Sequence, residues 1–372
     1  MWRACSIGTV LALCLVGYSI ASAPGHGAKP SSGPKKLIYY GWDMPDTEYL
    51  RDHCSEMEKM PFDGVGVTVA LDRVRWREGW RDTENRLGWA FTGRQRFSVD
   101  QFRPAIEDLR AARCQRFTEQ FLEVTLSSSS SRGLSWFDDQ RWSQVEANVR
   151  VIAQIAKAGH ARGLVIDPEH YAERLFDYSV QSKQVNQPFA DFRRVARRRG
   201  QQVIAAVSEV FPEARIFSLF GYTLALKDVR RGMPLERSEY ALLPSFFDGI
   251  LEGLSSEAEF IDGYEFSYSY KQRAQFLDGY RQIREDAVEL SAFPELYRRK
   301  VRAGFGVWVD YRRNPGYFQP EELEAAVLAA LGICDRYVWI YGERVGFFPP
   351  HGIGPKSIEA LERATRHAGA RN

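Results

Sequence analysis

The sequence predicts an α/β protein built as a single (β/α)8 TIM barrel, and three observations carry that expectation. Short apolar runs alternate with amphipathic helical patterns along the chain. Eight such runs occur, several of them apolar at nearly every position, as expected of parallel strands covered on both faces. No Gly-rich phosphate loop follows an early run, whereas a doubly wound nucleotide-binding sheet would want one.

In chain order the expected strands are 37–42, 62–69 ("FDGVGVTV"), 120–127 ("QFLEVTLS"), 163–169 ("GLVIDPE"), 215–221 ("RIFSLFG"), 247–254 ("FDGILEGL"), 302–311 ("RAGFGVWVDY") and 336–343 ("RYVWIYGE"). Between them lie helical patterns. "TEYLRDHCSEMEKM" follows the first strand and "FRPAIEDLRAAR" precedes the third. "WSQVEANVRVIAQIAKAGHARG" repeats its apolar residues at three and four positions and is stopped by Gly163. "PEELEAAVLAALGIC" opens on Pro320, a residue favoured in a first helical turn, and "IEALERATRHA" closes the chain.

At 372 residues, with 44% hydrophobic and 26% charged, the chain can bury a sizeable core, and barrels of this size form one unit. Lys plus Arg number 50 against 48 Asp plus Glu, so the balance points to no polyanionic partner and no nucleic acid. The run "FRRVARRRG" lacks interleaved aromatics and reads as a solvated helix face. At the N-terminus Arg3 precedes the apolar stretch "IGTVLALCLVGYSI" and then "ASA", the order of a secretory signal peptide, with cleavage expected after Ala21 or Ala23. The expected organisation is a signal peptide over 1–23, a linker over 24–36 and the barrel over 37–372. That makes the product secreted or periplasmic, without a stable membrane partner once the signal is removed. Three cysteines then remain, Cys54, Cys114 and Cys334, which permit at most one disulfide. No CxxC, HExxH or clustered His appears, so neither a metal nor a cofactor is expected.

Loops after barrel strands emerge on the C-terminal face, where barrel enzymes build their sites. The loop after the second strand is long and carries Trp76, Trp80 and Trp89, and the one after the third carries Trp136 and Asp138. Acids recur at the strand tips. In "VIDPEHY", Asp167 and Glu169 are two apart and so share one side of the fourth strand, which Pro168 ends. Two neighbouring carboxyls repel one another's ionisation, so one keeps its proton while the other is charged. Glycoside hydrolysis needs that division of roles. Glu265 and Glu252 are candidates for an opposing carboxylate, with Glu343 in reserve. Asp43, Asp310 and Glu343 close the first, seventh and eighth strands, and Glu123, earlier in its strand, is expected to face the barrel interior behind the site. Trp42, Tyr171, Trp308 and Trp339 are candidate sugar-stacking rings, since flat aromatic faces suit the apolar face of a pyranose. Arg312 and Arg344 stand beside their acids as orienting groups.

On these residues the chain resembles barrel glycoside hydrolases, and "VIDPEHY" is similar to the D-x-D-x-E strand-four motif of chitinase-type barrels. Asp167 and Glu169 match its last Asp and its Glu, and Val165 stands where the earlier Asp belongs. The resemblance implies Glu169 as the acid, Asp167 as its partner and Trp339 as the floor of a sugar site. The expected activity is hydrolysis of an oligo- or polysaccharide. The alternative is a barrel that binds carbohydrate without cleaving it.

Overall fold

The computed structural model describes residues 34–72, 83–310 and 318–369. The expected signal peptide, most of the linker, Trp76, Trp80 and Arg312 lie outside the described residues. Every pairing in the main sheet is parallel. Its strands are β1 (Lys36–Tyr39), β2 (Gly64–Val67), β3 (Phe121–Ser127), β4 (Gly163–His170), β5 (Arg215–Ser218) and β6 (Glu259–Asp262), followed by β7 and β8 (Tyr337–Tyr341). β7 is one run in two pieces, Val301–Ala303 and Phe305–Trp308, either side of Gly304. The first piece pairs with β6 and the second with β8, while β8 pairs with β1. The two ends of the sheet therefore meet in one strand and close an eight-stranded ring.

The helices form the outer layer: α1 (Thr47–Met57), α2 (Arg103–Ala111), α3 (Asp139–Ala158), α4 (Phe189–Ser208), α5 (Thr223–Arg230), α6 (Leu243–Gly253), α7 (Arg273–Arg281), α8 (Pro294–Lys300), α9 (Pro320–Ile333) and α10 (Pro355–Gly369). Side-chain caps set two of their starts, with Asp46 accepting from the Tyr49 amide and Asp138 from the Arg141 amide. Among the described residues no helix is long and apolar enough to cross a membrane.

One expected strand is corrected. Residues 247–254 lie in α6, packed against α4, and the sixth strand is the later Glu259–Asp262. A helix buried on most sides has lost the polar stripe that betrays helical period, so a short piece of it reads as a strand. The arginine run is corrected in part: Arg194 and Arg198 are exposed, as expected of a solvated face, but the others are engaged. Arg197 pairs with Glu252, Arg193 donates to Ser245, and Arg199 is buried with its guanidinium on Asp139 and the Trp136 carbonyl. That face of α4 is a docking face cross-linked to its neighbours.

Alternation along each strand stacks the barrel interior in layers. Phe121, Phe217 and Tyr337 fill the N-terminal end with ring centroids 5.6–5.9 Å apart. One step higher, two residues along β8, Trp339 lies fully buried and donates to the Gly263 carbonyl at 2.8 Å. Gly306 makes room for it, since a β-carbon there would stand 2.8 Å from the indole. Cys54, on α1, and Cys114, just beyond α2, form a disulfide that closes a loop of sequence separation 60, and Cys334 is a buried free thiol.

Candidate active site

Above the Trp339 layer, at the C-terminal mouth, a cavity of about 290 Å3 opens between the strand ends. Asp167, Glu169 and Glu265 line it, with Glu123 and Glu343. Its aromatic walls are Tyr40, Trp42, Trp89, Tyr171, Tyr268, Trp308 and Tyr341.

β4 delivers the first pair. Leu164, Val165 and Ile166 are buried, and the strand carries the same alternation on to Asp167 and Glu169. Asp167 is 2% exposed and accepts two hydrogen bonds, from the Glu169 amide at 2.9 Å and from the Tyr171 hydroxyl at 2.7 Å. Burial, then the charge of Glu169, pushes its carboxyl up to about 7 despite those bonds. Glu169 reaches the mouth, where it is exposed, and the surrounding protein still raises its carboxyl by desolvation.

The loop after β6 delivers the opposing group. Tyr264 adopts a left-handed conformation, φ 46°, uncommon for a side chain of that size. The turn directs the short helical turn Glu265–Ser267 toward the cavity. Glu265 accepts from the Tyr268 hydroxyl at 2.7 Å. Burial holds its carboxyl well above the usual range, and the charges of Asp167 and Glu169 push it the same way, so the three acids face one space.

Glu123 stands apart from that trio because it has a cation. Arg86, fully buried, meets it at 3.2 Å, and Trp89 donates its indole N–H at 3.0 Å. Arg86 also donates to the Trp42 carbonyl at 3.3 Å, tying the first and second strand loops to this wall. Among the described residues no cation pairs with Asp167, Glu169 or Glu265.

The rings form two facing clusters. Trp89 and Tyr171 lie 4.8 Å apart, with Trp42 at 6.0 Å from Tyr171. Tyr268 stacks near-parallel on Tyr341 at 5.6 Å, and Trp308 sits edge-on to both. Trp42 bridges the clusters by donating to the Tyr341 hydroxyl at 2.8 Å.

Of the expected site residues, the structure brings together Asp167, Glu169, Glu265, Trp42, Tyr171, Trp308 and Glu343. Four others lie outside the lining. Glu252 is on α6 and forms a two-pronged ion pair with Arg197, a consequence of the displaced sixth strand. Trp339 is one layer too deep to meet a ligand. Asp310 is a buried pin that accepts the Trp308 indole N–H and the amides of Glu343, Arg344 and Val345, so Arg344 meets this acid through its backbone. Asp43 accepts from Tyr39 and the Phe347 amide and borders a separate hollow with Tyr49 and His351. Trp136 is buried against Trp142 and Asp138 caps α3. Tyr40, Met44, Leu219, Tyr268 and Tyr341 line the cavity without having been singled out. Period-two alternation from Tyr337 through Trp339 was the signal available for Tyr341.

No family model matches the chain, and no curated protein matches it in sequence. Solved structures align with it over most of its length. A GH18 chitinase from Pseudoalteromonas aurantia aligns over 88% of this chain and 99% of its own, at 10% identity and TM-score 0.40. An exo-beta-1,4-mannosidase from Opitutaceae bacterium strain TAV5 aligns over 91% of this chain and 59% of its own, at 14% identity and TM-score 0.49. A D-psicose 3-epimerase from Clostridium cellulolyticum H10 aligns over 90% and 98%, at 11% identity and TM-score 0.42. The closed parallel sheet with its outer helices makes the protein an α/β barrel. Likenesses at this level, divided between hydrolases and an isomerase, leave the reaction to be read from the cavity.

Proposed function

We propose that the protein is a secreted glycoside hydrolase acting on an oligo- or polysaccharide, with Glu169 as general acid and Glu265 as the opposing carboxylate. The observation that carries this reading is the trio Asp167, Glu169 and Glu265 around one aromatic-walled cavity, with no cation among the described residues to neutralise them. Burial with the charge of Glu169 raises Asp167 to about 7, and burial with both of those acids raises Glu265, so the three do not all ionise near neutrality and the site holds a proton beside a negative charge. Glu169, at the mouth, gives its proton to the glycosidic oxygen as the bond from that oxygen to the anomeric carbon breaks. In the protonation state that reacts, Glu169 keeps the proton and Glu265 is ionised against the pull of its burial; that carboxylate faces the positive charge that builds on the anomeric carbon, and Asp167, held by Tyr171, adds to the field. Water then supplies the hydroxyl to the anomeric carbon and the proton that restores the starting state. The aromatic clusters offer apolar faces for the sugar rings. The disulfide suits an oxidising compartment, in agreement with the signal-like N-terminus.

The test is release of reducing sugar from a broad panel of oligo- and polysaccharides by the wild type, Glu169→Gln and Glu265→Gln, each shown to be folded. Turnover that falls by roughly 100-fold or more in both variants is the expected result. Wild-type binding of a saccharide without turnover would replace this reading by that of a carbohydrate-binding barrel.

A further inference from the structure

The tip of β6 carries a carboxyl that the proposed chemistry does not use. Asp262 is fully buried and lies outside the cavity lining. One of its oxygens accepts the Tyr264 amide at 3.0 Å, closing a side-chain-to-backbone turn across Gly263. The other faces the Gly221 amide without completing a hydrogen bond of good geometry. Gly221 permits that approach, because a β-carbon there would stand 2.1 Å from the same oxygen. No cation among the described residues pairs with Asp262, an expensive way to bury an acid that serves packing alone.

We propose that Asp262 is a positioning residue for Glu265: its carboxyl holds the left-handed turn at Tyr264 that aims Glu265 into the cavity, and its charge acts on Glu265 from behind. Tyr264 precedes Glu265 directly, so loss of the Asp262 acceptor releases the amide of a residue held in the left-handed region. The barrel clamps Asp262 from both sides. Gly263 donates to the Ser218 carbonyl on β5, and Gly304 of the β7 break donates to the Asp262 carbonyl, each at 2.7 Å. Three titratable groups feel its charge: Tyr264 and Glu265 in its own loop, and Tyr297 on α8. Burial pushes the Asp262 carboxyl itself up to about 7, so its charge appears only as neutrality is approached.

The inference deepens the glycosidase reading, with Glu265 as its acting group, but its test needs no substrate. The titration midpoint of Glu265 is followed by NMR of protein labelled with 13C at the glutamate side-chain carboxyl. Wild type is compared with Asp262→Asn, Asp262→Ala and Asp248→Asn. Asn keeps the acceptor oxygen and removes the charge, so the Glu265 midpoint is expected to fall, and with an active substrate KM stays within twofold. Ala removes the acceptor as well, so kcat is expected to fall at least tenfold below that of the Asn variant. Asp248, a buried carboxyl of α6 that accepts from Tyr222, Ser291 and the Ala292 amide, is the control for general destabilisation, and its variant leaves the midpoint in place. A Glu265 midpoint unmoved in Asp262→Asn overturns the inference. A shifted midpoint in a protein that cleaves no saccharide upholds the inference and overturns the glycosidase reading.

Discussion

The two ends of the barrel treat carboxylates in opposite ways. At the N-terminal end Glu119 is buried and surrounded by donors, with Arg215 at 3.0 Å, Tyr337 at 2.6 Å and Arg162 at 3.4 Å. Glu259 beside it meets Arg302 at 3.1 Å. At the C-terminal end Asp167, Glu169 and Glu265 have hydroxyls and amides for partners; burial raises each of them, Glu169 raises Asp167 further, and both raise Glu265. The larger hollow, about 850 Å3, lies at the N-terminal end among Arg162, Arg215, Arg302 and the acids they neutralise. The smaller one, about 290 Å3, holds the unmatched acids. Unneutralised acids, not volume, set the candidate site apart from the larger hollow. Matched charges fix a structure, whereas unmatched ones store a protonation imbalance that chemistry can use.

The largest effect that could break this contrast is on activity at the mouth. Glu265→Gln should lower kcat by roughly 100-fold or more while leaving Tm unchanged or higher, because it removes a desolvated charge. A drop in Tm matching the drop in rate would make Glu265 a strut like Glu119. The next is on stability at the other end. Arg215→Met should destabilise the fold by an amount approaching the ~3–5 kcal/mol for breaking a buried ion pair, tempered by Tyr337 and Arg162, which still face Glu119. Denaturant melts measure it, and the rate per folded molecule should not change.

A pH series sharpens the contrast further. The Asp167 carboxyl rises from 3.8 to about 7 on folding, so the native state holds the proton more tightly than the unfolded chain does. Its penalty is absent below pH 3.8, grows across the interval and is complete above about 7, the reverse of an ordinary salt-bridged acid. The difference in Tm between Asp167→Asn and wild type should therefore grow in the variant's favour as pH rises from 4 to 7. A flat difference would show that Asp167 ionises normally. The smallest expected effect is Tyr341→Phe, which removes the Trp42 hydrogen bond. At about 1 kcal/mol it should raise KM about fivefold with little change in kcat.

Much of this contrast could be read in the chain before its fold. The β4 run ending in Asp167 and Glu169 was legible because a parallel strand buried on both faces leaves an uninterrupted apolar signature. The eight-stranded plan followed from the same signature, and it misled once, when the buried helix α6 imitated a strand and carried Glu252 with it. The true β6 has two apolar residues, Phe260 and Ile261, set between two acids, so it lacks the apolar run that marked the other strands. Depth was the other illegible quantity. Tyr337, Trp339 and Tyr341 share one face of β8, yet only Tyr341 reaches the cavity, because strand stagger sets which layer a residue enters. The Arg86–Glu123 pair and the Tyr264 turn join segments whose meeting no local pattern announces.

The most direct test of the account is the titration of the glutamate carboxyls by NMR of 13C-labelled wild type, Glu169→Gln and Glu265→Gln. The account predicts two glutamate resonances with midpoints above the usual 4.5, one missing from each variant, and the Glu265 resonance shifted down in Glu169→Gln by loss of that neighbour's charge. All glutamates titrating at or below that value, with no coupling between the variants, would contradict it.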